Sequence, residues 1–144
     1  MFKRILIVCM GNICRSPTAE YLFRQRMKSR DVEFSSAGLG ALVGSPMDAT
    51  ALQLLAESGI DGTMHRAHQL TPSMLREADL VIGMEKNHLA AMIQLAPEVN
   101  GKVYLLDKWL RGNDIPDPYR RQRTAFEHVH EIITQGVSSW EPYL

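Results

Sequence analysis

The feature that most restricts the fold of this chain is a short apolar run that leads directly into a polar loop and a proline. Residues 4–8, Arg-Ile-Leu-Ile-Val, are apolar after the first position, which is typical of a strand buried on both faces. Pro17 stands where a helix would open, and Ser16 is its predicted N-cap. Strand, loop and helix in this order favour a parallel α/β fold, in which ligands bind at the carboxyl ends of strands.

The rest of the chain repeats this alternation of strand-like and helix-like segments. Further strands are predicted at 32–37, 80–84 and 102–106. Helices are predicted after Pro17, at 48–58, from residue 71, at 86–95 and after Pro118. We therefore predict one domain over residues 1–144, an α/β fold with a doubly wound, four-stranded parallel sheet flanked by helices.

The loop over residues 9–16, Cys-Met-Gly-Asn-Ile-Cys-Arg-Ser, has the composition of an anion-binding cradle. Its backbone N–H groups can point inward, and the helix that follows adds the positive end of its dipole. Gly11 and Asn12 tolerate positive φ, and Arg15 offers a planar fork for two phosphate oxygens. The sequence therefore predicts a phosphate-binding loop after the first strand. The Gly-Lys-Ser/Thr pattern of nucleotide-binding loops is absent from it.

Cys9 lies at the base of this predicted cradle. The surrounding N–H groups, the helix terminus and Arg15 favour its thiolate form, to which the Ser16 hydroxyl can donate a hydrogen bond. A thiolate held in line with a bound phosphate ester is a nucleophile that would form a phosphocysteine. The alternative interpretation is that Cys9 is a small buried hydrophobic residue.

Cys14 is the second of only two cysteines in the chain. So few cysteines exclude a disulfide scaffold, and we expect a reducing cytoplasmic location. Two interpretations of Cys14 stay open. It is either a buried packing residue or a thiol that traps oxidised Cys9 as a disulfide.

Asp117 is the candidate general acid, within the segment 114–119, Asp-Ile-Pro-Asp-Pro-Tyr. A tyrosine leaving group departs as a phenolate whose conjugate acid has a pKa of about 10, so a proton donor helps it to leave. Prolines on both sides of Asp117 stiffen the loop, and Tyr119 supplies an aromatic wall. A plain turn before the last helix is the alternative.

Charge and hydropathy exclude several classes of function. Lys+Arg and Asp+Glu both number 16, so the chain lacks the basic excess typical of nucleic-acid binders. No stretch approaches the roughly 18 apolar residues of a membrane span, and no signal-peptide pattern is visible. No His/Cys/Asp cluster has zinc-ligand spacing, so we predict no metal and no other cofactor.

These segments resemble the low-molecular-weight protein tyrosine phosphatases over essentially the whole chain. The resemblance rests on residues 8–17, 35–38 and 117–119. It implies that Cys9 is the nucleophile, that Arg15 clamps the phosphate, and that Asp117 is the general acid and then the base for water. It also implies a four-stranded parallel sheet flanked by helices.

The same resemblance implies roles for residues around these groups. Ser36 and His65 would brace the loop through Asn12, whose strained conformation shapes it. Tyr119 and Ile13 would line the slot for the aromatic ring. The residues implied to bind the substrate are Met10, Gly11, Asn12, Ile13, Cys14, Ser16 and Tyr119.

Some positions depart from the common pattern of that family. Leu42 stands where other members carry an aromatic wall residue, and His68 where Arg is common. Many members have a second Tyr after Asp-Pro-Tyr, where this chain has Arg120 followed by Arg121. This resembles the bacterial branch associated with capsule and exopolysaccharide export. It implies a cytoplasmic monomer that acts on the tyrosine-rich cytoplasmic tail of a membrane autokinase. The two arginines either meet such a tail or form a solvated helix start.

Three other functions fit parts of this pattern. Arsenate reductases on the same scaffold use cysteines far from the loop, and this chain has none after Cys14. Arginine phosphatases carry Thr at the position of Ile13, which here offers an apolar wall suited to a phenyl ring. A non-catalytic phosphopeptide-binding module would need Arg15 and the cradle but neither Cys9 nor Asp117.

Overall fold

The chain folds around a four-stranded parallel sheet in the computed structural model, which describes residues 2–144. The strands are β1 (Arg4–Cys9), β2 (Glu33–Gly38), β3 (Leu80–Gly83) and β4 (Val103–Leu105). They lie in the order β2-β1-β3-β4, and each neighbouring pair is parallel. The predicted fold class is confirmed, although β4 is shorter than predicted.

Helices cover the sheet and connect its strands. They are α1 (Arg15–Arg26), α2 (Ala49–Glu57), α3 (Pro72–Glu77), α4 (Lys86–Leu95) and α5 (Arg123–Trp140). Single 3₁₀ turns lie at Pro97–Val99 and Glu141–Tyr143. Asp48 caps α2 by accepting hydrogen bonds from the N–H groups of Thr50 and Ala51, which satisfies donors that have no partner within the helix.

The start of α1 differs from the prediction. The helix begins at Arg15 with Cys14 at its N-cap, rather than at Pro17 with Ser16 as the cap. The loop backbone runs straight into the helix, so Ser16 and Pro17 lie in the first turn, where a proline's missing N–H has no helical partner. The Ser16 hydroxyl caps nothing and contacts Cys9 instead.

Strand β1 is buried on both faces. Ile5 and Ile7 pack into one core, which includes residues of α1, α2 and α5. Leu6 and Val8 pack into a second core on the opposite face, which includes residues of α3 and α4. Each such side chain contributes roughly 1.5–3 kcal/mol when fully removed from water, so the two cores fix β1 and the position at which the next loop starts.

The carboxyl edge of the sheet gathers the segments that form the site. From β1 the chain crosses to β2 on one side and later to β3 on the other, so a crevice opens between β1 and β3. The Ile115 N–H donates to the Met84 carbonyl oxygen (2.9 Å), which holds the segment after β4 against the end of β3. Cys9 and Asp117 thereby come to line one cavity.

Candidate active site

The loop between β1 and α1 turns sharply at Asn12. Its φ is 59°, in the left-handed region that asparagine tolerates better than most residues. Asn12 Oδ1 accepts from the His68 N–H (2.9 Å), and the Asn12 carbonyl oxygen accepts from His65 Nε2 (2.7 Å). The segment before α3 is thus in direct contact with the loop and fixes its turn.

The end of β2 packs against the loop backbone at Gly38. A Cβ at Gly38 would lie 2.5 Å from the Met10 carbonyl oxygen and 3.1 Å from atoms of Asn12. The Leu39 N–H, next in the chain, donates to the Cys9 carbonyl oxygen (3.0 Å). Only a residue without a side chain permits this approach, so Gly38 sets the distance between β2 and the loop.

A buried chain of hydrogen bonds leads to the Cys9 sulfur. Cys9 Sγ lies 2.9 Å from Ser16 Oγ. Asn12 Nδ2 donates to Ser16 Oγ (2.8 Å) and to Ser36 Oγ (3.0 Å). Ser36 Oγ donates in turn to Glu20 Oε1 (2.6 Å). All five residues are buried.

The carboxylate sets the direction of this chain. An ionised Glu20 only accepts hydrogen bonds, so Ser36 donates to it and accepts from Asn12. The Asn12 oxygen already accepts from a backbone N–H, which leaves its Nδ2 as the donor to both hydroxyls. Ser16 therefore accepts from Asn12, and its own O–H is free to donate to Cys9. Such a donor stabilises a thiolate.

Arg15 lies buried at the base of the loop, and its neighbours hold its guanidinium. Nη1 donates to Glu85 Oε2 (2.6 Å) and to the Ile115 carbonyl oxygen (2.7 Å). Nη2 lies 3.6 Å from Asp117 Oδ2. Arg15 also lines the cavity, so its remaining N–H groups can bind the oxygens of an anion there.

Asp117 lies on the wall of the cavity, next to Arg15 at the base. Its Oδ1 accepts from the Tyr119 N–H (3.0 Å), a local turn that the flanking prolines favour. The Asp117 side chain is 45% exposed, so it can exchange a proton with water. Pro118 is buried beneath it.

These groups line a cavity of about 160 Å³. Its base is buried at Cys9 and Arg15, whereas its rim is exposed at Met10, Leu42 and Tyr119. The lining residues are Cys9, Met10, Gly11, Ile13, Cys14, Arg15, Gly40, Leu42, Asp117 and Tyr119. Four predicted site residues do not line the cavity and instead form hydrogen bonds on the far side of the loop from it. They are Asn12, Ser16, Ser36 and His65.

Cys14 lines the same cavity but differs from Cys9 in its surroundings. Burial, with a further effect of the Asp48 carboxylate, raises the pKa of the Cys14 thiol far above its ordinary value. Cys14 is thus held as a protonated thiol. Both cysteines are free thiols, and a Cys9–Cys14 disulfide stays a prediction.

Sequence patterns did not predict three ionisable residues of this region, Glu20, Glu85 and His88. Glu20 ends the hydrogen-bond chain to Cys9. Glu85 binds Arg15 through an oxygen that also lies 3.4 Å from His88 Nε2. Glu85 follows shortly after β3 at the carboxyl edge, and Glu20 lies one turn after Ser16 on α1; these placements were the available signals.

Within residues 2–144, no group of three or more His, Cys, Asp or Glu residues is arranged to hold a metal ion. In the same part of the chain, no helix is both long enough and apolar enough to cross a membrane. The ionisable side chains that line the cavity are two thiols, a guanidinium, a carboxylic acid and a phenol, from Cys9, Cys14, Arg15, Asp117 and Tyr119.

A parallel sheet whose β1 leads into a loop with Cys9 and Arg15, with Asp117 on the same cavity, is the arrangement of the small α/β phosphatases; here the site residues, more than the fold, indicate that class. The chain belongs to the low molecular weight phosphotyrosine protein phosphatase family, whose sequence model matches residues 4–143. It is a protein tyrosine phosphatase of that family, as the resemblance of its motifs predicted.

Relatives match over nearly the full length. The low molecular weight protein-tyrosine-phosphatase Etp of Escherichia coli is 44% identical over 139 residues, covering 96% of this chain and 93% of its own. The probable phosphatase EpsP of Ralstonia nicotianae is 45% identical over 142 residues, covering 99% and 96%. The solved structure of Vibrio vulnificus Wzb in complex with benzylphosphonate has a TM-score of 0.95 at 38% identity, covering 100% of both chains.

Proposed function

We propose that this chain hydrolyses phosphotyrosine in proteins through a phosphocysteine intermediate on Cys9. The observation that carries the proposal is the cavity, where the Cys9 sulfur lies 2.9 Å from the Ser16 hydroxyl, with Arg15 at the base and Asp117 on the wall. A nucleophile, a positively charged clamp and a proton donor are the groups that phosphoryl transfer from an aryl ester requires.

In the first step the Cys9 thiolate attacks phosphorus in line with the bond to the tyrosine oxygen. The S–P bond forms as the P–O bond breaks, and Asp117 gives its proton to the leaving phenolate oxygen. The N–H groups of the loop and Arg15 bind the oxygens of the transferring group and stabilise their charge.

In the second step water displaces the cysteine. Asp117, now a carboxylate, takes a proton from the water, the new O–P bond forms, and the S–P bond breaks. Inorganic phosphate leaves, and the Cys9 thiolate is regenerated. The half-exposed Asp117 side chain reaches both the cavity and solvent, which suits it to both steps.

The walls of the cavity favour an aryl ester. Ile13, Leu42 and Tyr119 surround the path from the rim to the Cys9 sulfur, and each offers an apolar surface to a phenyl ring. A phosphoserine side chain is shorter, so it would not bring phosphorus to the base of such a slot. The benzylphosphonate held by Vibrio vulnificus Wzb, a ring carrying a phosphonate, supports this interpretation.

Trapping the intermediate tests the reaction. The wild-type protein should hydrolyse p-nitrophenyl phosphate with an initial burst of nitrophenol, and acid-quenched samples should carry one phosphoryl group on Cys9. Cys9→Ser should lose activity on the order of a thousandfold or more, with an unchanged melting temperature. Retained activity in Cys9→Ser, or a burst without phosphorylated Cys9, would show that the mechanism is wrong.

For the cell, we propose a membrane tyrosine autokinase that controls exopolysaccharide or capsule production as the substrate. The chain would act on its tail as a single-domain monomer in the cytoplasm. Similarity to Etp and to the probable EpsP supports this assignment. Cys9→Ser should capture the phosphorylated autokinase from the native cell, and deletion of the phosphatase should raise the phosphotyrosine content of the kinase. An unchanged phosphotyrosine content after deletion would contradict it.

A further inference from the structure

Arg120 occupies a backbone position that arginine rarely adopts. Its φ is 64°, and within residues 2–144 only Asn12 shares a positive φ among non-glycine residues. The Arg121 N–H donates to the Pro118 carbonyl oxygen (2.9 Å), which closes a turn with Tyr119 and Arg120 at its centre. A positive φ at the third residue alone is the pattern of a type II turn, where glycine or asparagine is favoured. Arg120 therefore holds a turn position that disfavours arginine, directly after a residue that lines the cavity.

The side chain of Arg120 lies over the ring of Tyr119. Its guanidinium carbon is 5.2 Å from the ring centroid, within the range of a cation–π contact. Tyr119 lines the cavity and Arg120 does not, so the guanidinium is in contact with a wall residue of the slot for the target ring. Among the other exposed residues that line the cavity, Met10 and Leu42 are apolar and Asp117 is acidic. Arg120 thus places a positive charge beside a rim whose exposed side chains include one acidic group, Asp117.

Arg120 has no anionic partner among the residues that the structure describes. Among residues 2–144 its side chain makes no ion pair and no hydrogen bond, and its guanidinium packs on the Tyr119 ring. Three residues further on, Arg123 binds both Glu57 (2.8 Å) and Glu127 (3.1 Å). Arg123 thus ties α5 to α2, whereas the Arg120 guanidinium has no carboxylate partner among residues 2–144.

We infer that Arg120 binds an anionic group of the substrate next to the target phosphotyrosine. The enzyme would then prefer substrate segments that carry a carboxylate or a second phosphate within about three residues of the target phosphotyrosine. Three residues of extended peptide span about 10 Å. Carboxylate and phosphate share the paired oxygens that a guanidinium binds as a fork. This inference deepens the proposed function and rests on it.

Three matched phosphotyrosine peptides test the inference. One has neutral flanks, one has glutamates on both sides of the target, and one has a second phosphotyrosine in place of a glutamate. In the wild-type enzyme, kcat/KM should be about two- to fivefold higher for the glutamate peptide than for the neutral one, mainly through KM. For the doubly phosphorylated peptide, kcat/KM should be about tenfold higher than for the neutral peptide. Both gains should shrink as salt concentration rises.

Variants of the turn locate the effect. Arg120→Gly removes the guanidinium and supplies the residue that the turn favours, so the melting temperature should stay equal or rise. In this variant the kcat/KM ratio between glutamate and neutral peptides should fall to near unity. Arg120→Lys keeps the charge without the planar fork and should retain part of the ratio. Arg121→Ala removes one charge from the adjacent exposed residue and should leave the ratio unchanged.

Each outcome decides for or against Arg120. An equal loss of preference in Arg120→Gly and Arg121→Ala would show a diffuse positive field instead of a binding residue and would overturn the inference. The inference would also be overturned if Arg120→Gly kept the wild-type kcat/KM ratio between the glutamate and neutral peptides, or if the wild type showed no such preference. If the wild type cleaves all three peptides equally and depends on Cys9, the proposed reaction stands and only the role of Arg120 falls. If Cys9→Ser still cleaves them, the proposed reaction itself is wrong.

Discussion

Ser16 connects the buried hydrogen-bond chain to the Cys9 sulfur, the proposed nucleophile. Its hydroxyl is the last donor in the chain that starts at the Glu20 carboxylate and passes through Ser36 and Asn12. Each bond fixes the direction of the next, because a hydroxyl that accepts from one neighbour is free to donate to the other. The contribution of each residue should therefore fall with its distance from Cys9 along the chain.

Removal of the two serine hydroxyls should reveal this order. Ser16→Ala removes the donor to Cys9 and should lower kcat about ten- to a hundredfold, since a hydrogen bond to a charged group is worth about 1.5–3 kcal/mol. Ser36→Ala leaves that donor in place, so the fold-decrease in kcat should be several times smaller than in Ser16→Ala. Steady-state hydrolysis of p-nitrophenyl phosphate measures both losses. A loss in Ser36→Ala as large as in Ser16→Ala would contradict a directed chain.

Asp117→Asn keeps the size of the side chain and removes its proton. Phenyl phosphate has a strongly basic leaving group, so its kcat should fall by about 10²–10⁴-fold in the variant. Hydrolysis of p-nitrophenyl phosphate should fall much less, because nitrophenolate leaves without protonation. The ratio of the two losses is the measurement. Equal losses on both esters would rule out the general-acid role of Asp117.

Among the elements, the sequence predicts isolated segments better than their junctions. Helix α4 has its predicted bounds, residues 86–95, because a turn and a proline interrupt the helical pattern on both sides. Strand β4 was predicted at 102–106 but pairs only over Val103–Leu105, where it meets β3. The join of β1 and α1 was misplaced because Ser16 serves the site instead of the helix, and capping patterns cannot show that.

Gly38→Ala should disturb the junction between β2 and the loop. The new Cβ would lie 2.5 Å from the Met10 carbonyl oxygen, so backbone must move. We expect the free energy of unfolding to fall by about 1–3 kcal/mol, typical of overpacking, and kcat to fall with it. Urea unfolding and steady-state kinetics check this, with Ser35→Ala at an exposed position of β2 as the control. Wild-type stability together with wild-type kcat in Gly38→Ala would show that the strand end can give way freely.

Across the whole molecule, each of the two motifs proposed to react is a short segment of sequence, whereas the residues that support them come from distant parts of the chain. The motifs at 9–16 and 117–119 carry residue types whose chemistry can be predicted without a structure. Ser36 and His65 were expected only through family resemblance. Glu85 was not expected, because its role depends on where the end of β3 lies relative to Arg15, seventy residues earlier. Tertiary packing decides such contacts, and no local pattern encodes them.

Stability should depend on pH through the buried histidines. Burial lowers the pKa of His65 and His88, and also that of the partly buried His130. In the unfolded chain each titrates at about 6.5, so below that pH the unfolded state binds more protons than the folded state. Stability therefore falls on acidification, by at most about 1.4 kcal/mol per histidine for each pH unit between the two pKa values.

Urea unfolding between about pH 7.5 and about pH 5.5 measures this slope. His88→Gln should flatten it. Asp61, Asp79 and Glu98 do not obscure the result, because their pKa values are lowered and they lose their contribution to stability only at more acidic pH. A free energy of unfolding that stays level or rises toward the acidic end would contradict the prediction.

The long-range anchors of the loop have a consequence for the newly made chain. A ribosome synthesises the Cys9 loop first, whereas His65 follows Asn12 by 53 residues and Ile115 follows Arg15 by 100. A nascent chain that lacks these anchors contains the motif without the contacts that shape it. The proposed nucleophile thus gains its complete surroundings only after Ile115 has been synthesised, so shorter chains lack the assembled site.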